Sequence, residues 1–202
     1  MNNDVVLIID FGSQVTQLIA RRLRELKVYC EIHPYNKIKV DLTNRLNPKA
    51  IILSGGPASV LDNDAPRPPE SIFDMGVPIL GICYGQQVMM KMLGGEVISG
   101  SGTSEFGKSY VKQKNQKIKL LDGLFNKNNT EQVWMSHGDH VSSIPNNFKV
   151  FGESENAPFA IIGDNEKHFY AVQFHPEVVH TLNGKILILS LIHISEPTRR
   201  KR

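Results

Sequence analysis

The feature that most constrains this chain is the segment 77–94, VPILGICYGQQVMMKMLG, in which an apolar run ends at a cysteine. Gly81 and Gly85 flank Cys83 two residues away on either side, and a stretch with helical character, 86–93, follows at once. Glycines at this spacing let a strand and a helix approach closely around a sharp turn that presents the residue between them. The turn would also place Cys83 at a helix N-terminus, where the helix dipole favours the thiolate. The alternative is a cysteine packed in a core strand, and the paired glycines favour the nucleophile.

Short apolar runs rich in β-branched residues recur along the first half of the chain. They predict buried strands at residues 5–9, 28–33, 50–53 and 79–82. A helix is predicted over 14–27, with Ser13 as its N-cap, because apolar residues recur there at helical spacing. We therefore predict an α/β fold: a doubly wound, mostly parallel, flavodoxin-like sheet with helices on both faces. The strand ends at Asp10, Ser54 and Cys83 would then share one edge, where such sheets bind ligands.

The second half of the chain has shorter and more polar strand-like segments, separated by Gly and Asn turns. These segments predict additional antiparallel strands at 108–112, 117–121, 132–135, 150–153, 159–162 and 170–174. A closing helix rich in Ile and Leu is predicted over 183–194. We expect one domain over residues 1–193, followed by a disordered or non-native tail over 194–202.

Composition and charge exclude several classes of protein. With 41% hydrophobic and 21% charged residues, the chain is typical of a globular protein. The net charge is +3, but the last eight residues, SEPTRRKR, hold four basic residues and one acidic residue, so the rest has no net charge. Because the rest of the chain has no net charge, it lacks the basic surface typical of nucleic-acid-binding proteins. No apolar run reaches the ~18 residues of a membrane helix. Without a signal-peptide pattern, and with Cys30 interpreted as a packing residue, we expect a cytoplasmic protein with a free Cys83 thiol.

A cysteine nucleophile needs an imidazole base, and the base needs an acceptor that orients it. Among seven histidines, His175 precedes Glu177 by two residues at the end of a predicted strand, so the two side chains would share a face. His137 and Asp139 have the same spacing, but a glycine between them indicates a loop. His175 is therefore the better candidate. A metal site built from His137, Asp139 and His140 is disfavoured because no convincing further ligands stand out.

Three motifs follow one another in a fixed order: SGGP at 54–57, GICYGQQ at 81–87 and QFHPE at 173–177. Together they resemble the class I, or triad, glutamine amidotransferases, and the likeness covers about residues 4–190. Within that family, three further segments are most similar to the glutaminase part of the GMP synthase branch. They are DFGSQ at 10–14, SHGD at 136–139 and HPEVVHT at 175–181.

The resemblance implies a role for each matching residue. Cys83 would attack the side-chain amide of glutamine, His175 would transfer the protons, and Glu177 would hold the imidazole. The backbone N–H groups of Gly56 and Tyr84 would form the oxyanion hole. The positions that bind the α-amino and α-carboxylate groups of the substrate in this family match Gln87, Gly138 and Asp139.

The resemblance also implies a partner for the ammonia that this reaction releases. In the GMP synthase branch, an ATP-pyrophosphatase (synthetase) domain or subunit uses ammonia to aminate xanthosine monophosphate. Its S-G-G-x-D-S loop is absent here, since Ala58 stands where the aspartate belongs. We therefore expect no cofactor and no metal in this chain, with ATP and Mg²⁺ on the synthetase, carried by a separate subunit or a longer chain. Residues after 189 depart from the family pattern.

Two other functions remain open at this point. The same triad could serve another synthase, as in anthranilate or aminodeoxychorismate synthesis, although DFGSQ and SHGD fit the purine branch better. The chain could also be a non-catalytic subunit that senses glutamine. A complete set of Cys83, His175 and Glu177 argues against a sensor, because sensing needs no nucleophile.

Overall fold

The structure, a computed structural model, describes residues 5–100, 104–114 and 118–195. Within these residues the strands are β1 (Val5–Asp10), β2 (Tyr29–Pro34), β3 (Ala50–Leu53), β4 (Ile79–Ile82), β5 (Glu96–Ser99), β6 (Glu105–Gln113), β7 (Thr130–His137), β8 (Asp139–Ser143), β9 (Lys149–Glu153), β10 (Ile161–Asp164) and β11 (Phe169–Val172). The α-helices are α1 (Thr16–Glu25), α2 (Val40–Leu46), α3 (Tyr84–Leu93) and α4 (Gly184–Ser195). Short 3-10 helices span Tyr35–Lys37, Glu70–Asp74 and Lys119–Leu121.

In the described residues, nine strands form one mixed sheet in the order β2-β1-β3-β4-β11-β10-β9-β6-β7. The five strands from β2 to β11 are parallel, and each later neighbour is antiparallel. Strands β5 and β8 pair separately as a small antiparallel sheet. The predicted α/β fold, with a parallel sheet extended by antiparallel strands, is confirmed.

Both faces of β1, β3, β4 and β11 are buried, as expected for a doubly wound sheet, whereas the edge strand β2 is only partly buried. Alternate residues of β1 enter different cores: Val6 and Ile8 pack in one cluster, and Leu7 and Ile9 pack in the other. The first cluster includes side chains from α1 and α4, whereas the second includes side chains from α3. A strand covered on both sides has a continuous apolar sequence, which is why VVLII predicted a buried strand.

The antiparallel half bends back toward the parallel half. Strand β7 lies five places from β4 in the sheet order, a separation of roughly 24 Å if the sheet were flat. Nevertheless, the Ser136 carbonyl in β7 lies 3.5 Å from Cys83 Sγ, just beyond the end of β4. The chain that follows β11 also bonds to β7, through His175 N–H to Trp134 O at 3.0 Å and Leu182 N–H to Gln132 O at 3.3 Å. The sheet therefore curls until β7 lies against the edge at which β4 and β11 end.

The four parallel strands predicted from the sequence are present, but the start of the first helix differs. Ser13 is not the N-cap: Val15 occupies that position, and Ser13 Oγ accepts the Val15 N–H at 3.2 Å. The Asp10 carboxylate accepts the Gly12 N–H at 2.9 Å and the Thr16 hydroxyl at 2.8 Å. These bonds hold residues 10–15 in a turn, so that the helix begins two residues later than predicted.

In the second half, the prediction of a strand over 117–121 is wrong for its described part. Residues Lys119–Leu121 form a 3-10 helix, and Leu120 and Leu121 are both buried. Consecutive strand residues point to opposite faces, whereas this turn buries both leucines in one cluster with α4. Position 117 lies outside the described residues. The other predicted antiparallel segments overlap β6, β7, β9, β10 and β11. For β11 the predicted direction is wrong with respect to β4, because β11 lies beside β4 and runs parallel to it, and only its pairing with β10 is antiparallel.

Among the α-helices and strands of the described residues, three were not predicted: α2, β5 and β8. The 3-10 helices Tyr35–Lys37 and Glu70–Asp74 were not predicted either. Helix α2 is short and half-exposed, and it ends at Asn47 in the left-handed conformation (φ 42°). Helix α4 continues to Ser195, two residues into the predicted tail, and the rest of that tail, 196–202, lies outside the described residues. No helix among the described residues is long and apolar enough to cross a membrane.

Candidate active site

The turn between β4 and α3 is a strained elbow with Cys83 at its tip. Cys83 has φ 52° and ψ −107°, a conformation that side-chain-bearing residues rarely adopt. A Cβ on Gly81 would lie 2.6 Å from the Gly85 carbonyl oxygen, and a Cβ on Gly85 would overlap the Leu53 carbonyl group. The glycines are thus required by close approach of the backbone, as the sequence predicted.

The Cys83 side chain has partners from two distant parts of the chain. Its Sγ lies 3.5 Å from the Ser136 carbonyl oxygen and 3.8 Å from Gln173 Nε2, which can donate to it. The residue also precedes α3, and its carbonyl accepts the N–H groups of Gln86 (3.0 Å) and Gln87 (3.2 Å). Cys83 is 6% exposed, so the sulfur is largely removed from bulk water.

His175 and Glu177 form a buried pair beside Cys83. The distance from His175 Nδ1 to Glu177 Oε1 is 2.8 Å, and Glu177 is completely buried. Burial alone would lower the pKa of His175, but hydrogen bonds with Cys83 and Glu177, together with their charges, raise the pKa to about 10. The imidazole is therefore protonated at neutral pH, and an imidazolium beside a cysteine is the arrangement that yields a thiolate nucleophile.

The predicted pairing of His175 with Glu177 is confirmed, but its backbone setting differs from the prediction. Strand β11 ends at Val172, so His175 lies in the loop after the strand rather than on it. The Glu177 carbonyl accepts a hydrogen bond from Arg22 Nε in α1 at 2.9 Å, which ties this loop to the parallel half. Sequence reasoning missed Arg22, because it lies 155 residues from Glu177 and bonds to a backbone atom of that residue.

The SGGP loop is fixed against the elbow. Ser54 Oγ accepts the Phe11 N–H at 3.1 Å and donates to the Gly55 carbonyl at 2.8 Å. A Cβ on Gly55 would lie 3.1 Å from His175 Cε1, and a Cβ on Gly56 would lie 3.0 Å from the Phe11 carbonyl. This close packing brings the backbone of residues 54–56 beside the elbow.

Gly56 and Tyr84, the two predicted oxyanion-hole residues, lie next to each other. A Cβ on Gly56 would be 3.3 Å from the Tyr84 ring, and Tyr84 is the first residue of α3. An N–H in the first turn of a helix has no partner within the helix and remains available to a ligand. The Tyr84 hydroxyl donates to the Pro66 carbonyl at 2.7 Å, and burial raises the pKa of this phenol to about 12.

Two cavities meet at Cys83, and both include Gly56, Pro57 and Ser136. One, of about 310 Å³, extends past His175 and is also lined by Gly12, Ser13, Gln14, Val15, Trp134 and Val178. The other, of about 400 Å³, extends along α3 and is also lined by Ala58, Ser59, Tyr84, Gln87, Phe106, His137, Gly138 and Asp139. The three predicted substrate-binding residues all line the second cavity.

His137 and Asp139 do not form the alternative base pair that their spacing allowed. His137 Nε2 lies 3.4 Å from Glu105 Oε2, and its Nδ1 lies 3.1 Å from the Asp139 backbone carbonyl. The Asp139 carboxylate accepts from the Ser59 hydroxyl, and its backbone carbonyl also accepts from Gln87 Nε2 at 2.8 Å. Sequence reasoning missed Glu105 and Ser59, since neither lies in a recognisable motif.

The metal site considered for His137, Asp139 and His140 has no counterpart in the geometry. In residues 5–100, 104–114 and 118–195, no group of three or more His, Cys, Asp or Glu side chains is arranged to hold a metal ion. His137 instead bonds to Glu105, and burial lowers the pKa of His140. Cys30, the other cysteine, is half-buried and lies 3.8 Å from the Ala20 carbonyl, in keeping with a packing role.

Comparison with known proteins identifies relatives over almost all of the chain. The family model for class-I glutamine amidotransferases matches residues 7–194. GMP synthase [glutamine-hydrolyzing] of Ruegeria sp. (strain TM1040) is 63% identical over 193 residues, which cover 96% of this chain and 37% of the relative. The protein of the same name from Bartonella quintana is 54% identical over 190 residues, covering 94% and 36%. The chain thus spans little more than a third of the length of these relatives.

Solved structures agree with the fold. A protein of Thermoplasma acidophilum assigned as a GMP synthase subunit superposes with a TM-score of 0.79 at 26% identity, covering 96% of this chain and 95% of its own. A glutamine amidotransferase from Thermotoga maritima has a TM-score of 0.77 at 19% identity, covering 96% and 98%, and so supports the fold alone. On the family model, the relatives and the arrangement around Cys83, this chain belongs to the class-I glutamine amidotransferase family.

Proposed function

We propose that this chain is the glutaminase component of a GMP synthase, which hydrolyses glutamine to glutamate and ammonia through a thioester on Cys83. The observation that carries the proposal is the elbow cysteine, buried between two cavities and beside the His175–Glu177 pair. The relatives named GMP synthase [glutamine-hydrolyzing] support the choice of branch, at 54% to 63% identity.

The reaction begins with Cys83 as a thiolate and His175 as an imidazolium. The sulfur attacks the amide carbon of the glutamine side chain and forms a tetrahedral oxyanion. The N–H groups of Gly56 and Tyr84 stabilise this oxyanion, and the loss of one such donor costs about 3 kcal/mol of barrier. The C–N bond then breaks, and the departing nitrogen takes the imidazolium proton and leaves as ammonia.

The second half of the reaction regenerates the thiolate. His175, now neutral, takes a proton from water, and the resulting hydroxide attacks the γ-glutamyl thioester. The C–S bond breaks, glutamate leaves, and His175 retains the proton, so the starting pair is restored. Glu177 holds the imidazole in one orientation throughout, with Nδ1 bonded to its carboxylate at 2.8 Å.

The cavity along α3 suits the amino-acid end of glutamine. Its polar lining includes Gln87, Gly138 and Asp139, and Asp139 offers a carboxylate for the substrate's α-ammonium group. Ser59 and Gln87 hold Asp139 at its side chain and backbone, respectively. A substrate seated there would extend its side-chain amide toward Cys83, where both cavities meet.

The partner that receives the ammonia is an ATP-pyrophosphatase synthetase, which aminates xanthosine monophosphate. The length of the relatives supports this partner. The chain covers 37% of the first relative, so the rest of that protein is long enough to hold a synthetase. This chain lacks the S-G-G-x-D-S nucleotide loop, so ATP and Mg²⁺ would bind the synthetase rather than this domain. The relatives favour this synthetase over anthranilate or aminodeoxychorismate synthases as the ammonia acceptor. A glutamine sensor would not require the strained Cys83 or its paired base.

The test is glutamate release from glutamine, measured for the protein and for Cys83→Ala. The matched control is Cys30→Ala, which removes the other thiol at a packing position. Release that disappears in Cys83→Ala and persists in Cys30→Ala, with a glutamyl adduct on Cys83 detected by mass spectrometry, is the expected result. The assay is repeated with a GMP synthetase polypeptide loaded with ATP and xanthosine monophosphate. Equal release by Cys83→Ala would rule out the thioester mechanism.

A further inference from the structure

One buried hydroxyl makes two of the hydrogen bonds that join strand β7 to the loop that carries the base, residues 173–183. Thr181 Oγ1 donates to the His175 carbonyl at 2.6 Å and accepts the Trp134 N–H at 3.0 Å. The side chain is 3% exposed, so water does not readily replace either bond. His175 N–H, in turn, donates to the Trp134 carbonyl at 3.0 Å. The backbone of the base is therefore held to one strand residue on both of its sides.

The same strand also holds the nucleophile. Two residues beyond Trp134, the Ser136 carbonyl oxygen lies 3.5 Å from Cys83 Sγ. Both reacting residues therefore contact strand β7. The Thr181 hydroxyl joins the His175 backbone to Trp134, and the Ser136 carbonyl lies against Cys83 Sγ. A shift of the base loop along β7 would change the separation of the imidazole and the sulfur directly.

We infer that Thr181 is a positioning residue for the reaction: its hydroxyl sets the distance between His175 and Cys83 by locking the base loop to β7. The inference rests on the proposed glutaminase function for its kinetic consequences, but its geometry stands on the contacts alone. Threonine suits the position because one hydroxyl both donates and accepts, and the carbonyl and the N–H that it joins need opposite roles.

Other contacts near the loop cannot replace this hydroxyl. The ring of His180 lies 4.5 Å from that of Trp134, and Gln132 Nε2 donates to the His180 carbonyl at 3.1 Å. The hydrogen bond to His180 is exposed, and neither contact involves His175. On the other side, a Cβ on Gly184 would overlap the Pro176 carbonyl, so the start of α4 presses against the loop without bonding to the base.

The experiment compares Thr181→Val, Thr181→Ala and Thr181→Ser, all in the Cys30→Ala background so that Cys83 is the only thiol. Valine keeps the shape and removes the hydroxyl, whereas serine keeps the hydroxyl. We measure kcat and KM for glutamine, and separately the rate of Cys83 alkylation by iodoacetamide at neutral pH. Circular dichroism and thermal unfolding show whether each variant is folded.

In the folded valine and alanine variants, kcat should fall about tenfold or more, because small misplacements of a catalytic group carry large kinetic costs. KM should stay within about twofold, since the substrate cavity along α3 does not include Thr181. Alkylation should slow in parallel with kcat. Serine should restore both rates to within about threefold of the parent, a rescue that a purely steric role would not give.

A folded Thr181→Val protein with the parent kcat and alkylation rate would overturn the inference. If neither apolar variant folds, Thr181→Ser decides, and a loss of more than about tenfold in its alkylation rate overturns the inference. Alkylation also separates the two proposals. A parent protein that hydrolyses no glutamine, but whose Cys83 reactivity depends on the Thr181 hydroxyl, contradicts the proposed function and supports the inference.

Discussion

At the scale of single residues, the site combines backbone strain with buried charge. A non-glycine residue at positive φ costs about 1–3 kcal/mol, and Cys83 bears that cost because β4 and α3 hold the turn closed. Beside it, Glu177 is fully buried and bonded to His175. A buried carboxylate is stable only when a partner compensates for its lost hydration. The His175 imidazolium supplies that compensation.

Replacing Glu177 with glutamine should therefore affect stability in a pH-dependent way. The pKa of His175 is raised from 6.5 to about 10, so the stability linked to its proton is fully present below 6.5 and lost as pH rises through 10. The unfolding free energy of Glu177→Gln should fall below that of the parent by a few kcal/mol at pH 6, and by much less at pH 10. Chemical denaturation at both values measures the difference. The exposed Glu155→Gln is the control, and a difference that does not shrink with pH would contradict the account.

At the scale of elements, the antiparallel pair of β6 and β7 holds a second network of buried hydrogen bonds. Glu105 accepts from Ser154 Oγ at 2.7 Å and from Ser109 Oγ at 3.0 Å, and it lies 3.4 Å from His137 Nε2. Burial opposes ionisation, but these hydrogen bonds outweigh it and lower the pKa of Glu105. His137 then bonds to the Asp139 carbonyl. The network thus links three strands to the substrate cavity.

Glu105→Gln should weaken substrate binding more than it slows the chemical steps. An amide in place of the carboxylate mismatches one of its hydrogen-bond donors, so His137 and the Asp139 backbone should lose their fixed position. We expect KM for glutamine to rise about fivefold or more, with kcat within about twofold. Steady-state kinetics check this, with Glu153→Gln as the control, because Glu153 forms a partly exposed ion pair with Lys114. A fall in kcat with an unchanged KM would contradict this prediction and would mean that Glu105 acts on the base, His175, instead.

These elements also show which parts of the structure a sequence can predict. The parallel strands follow from apolar runs buried on both faces, and Cys83, His175 and Glu177 follow from spacing and side-chain chemistry. Contacts made through backbone atoms leave no such signal, as with the Ser136 carbonyl that lies 53 residues from Cys83. Strands β5 and β8 are short, and in the described residues they pair only with each other. Their sequences show little of the alternation of apolar and polar residues that would predict a strand. The turn at Lys119–Leu121 depends on packing against α4, which no local pattern reveals.

At the scale of the whole molecule, the site exists because the sheet closes on itself. The elbow belongs to the parallel half, whereas Ser136 and Trp134 belong to the far edge of the antiparallel half. The segment after β11 joins the two, and it ends where Asn183 meets Glu131 of β7. There the Glu131 carboxylate accepts the Asn183 N–H at 2.7 Å and its Nδ2 at 2.8 Å, immediately before α4 begins.

Removing this closure should destabilise the whole domain and also slow the reaction. Glu131 is 3% exposed, and Glu131→Ala removes the acceptor of the Asn183 N–H and one of the two acceptors of its Nδ2, which keeps its bond to the Leu124 carbonyl. The change also removes a carboxylate from the start of α4. We expect the unfolding free energy to fall by about 2–3 kcal/mol in a single transition, because both halves of the sheet share this contact. Denaturant unfolding measures it, with Glu96→Ala on the exposed side of β5 as control. Because β7 positions both Cys83 and His175, kcat should fall while the protein is still folded. A stable variant with full activity would mean that the curl of the sheet is held elsewhere, most directly by Thr181 and the Leu182 N–H.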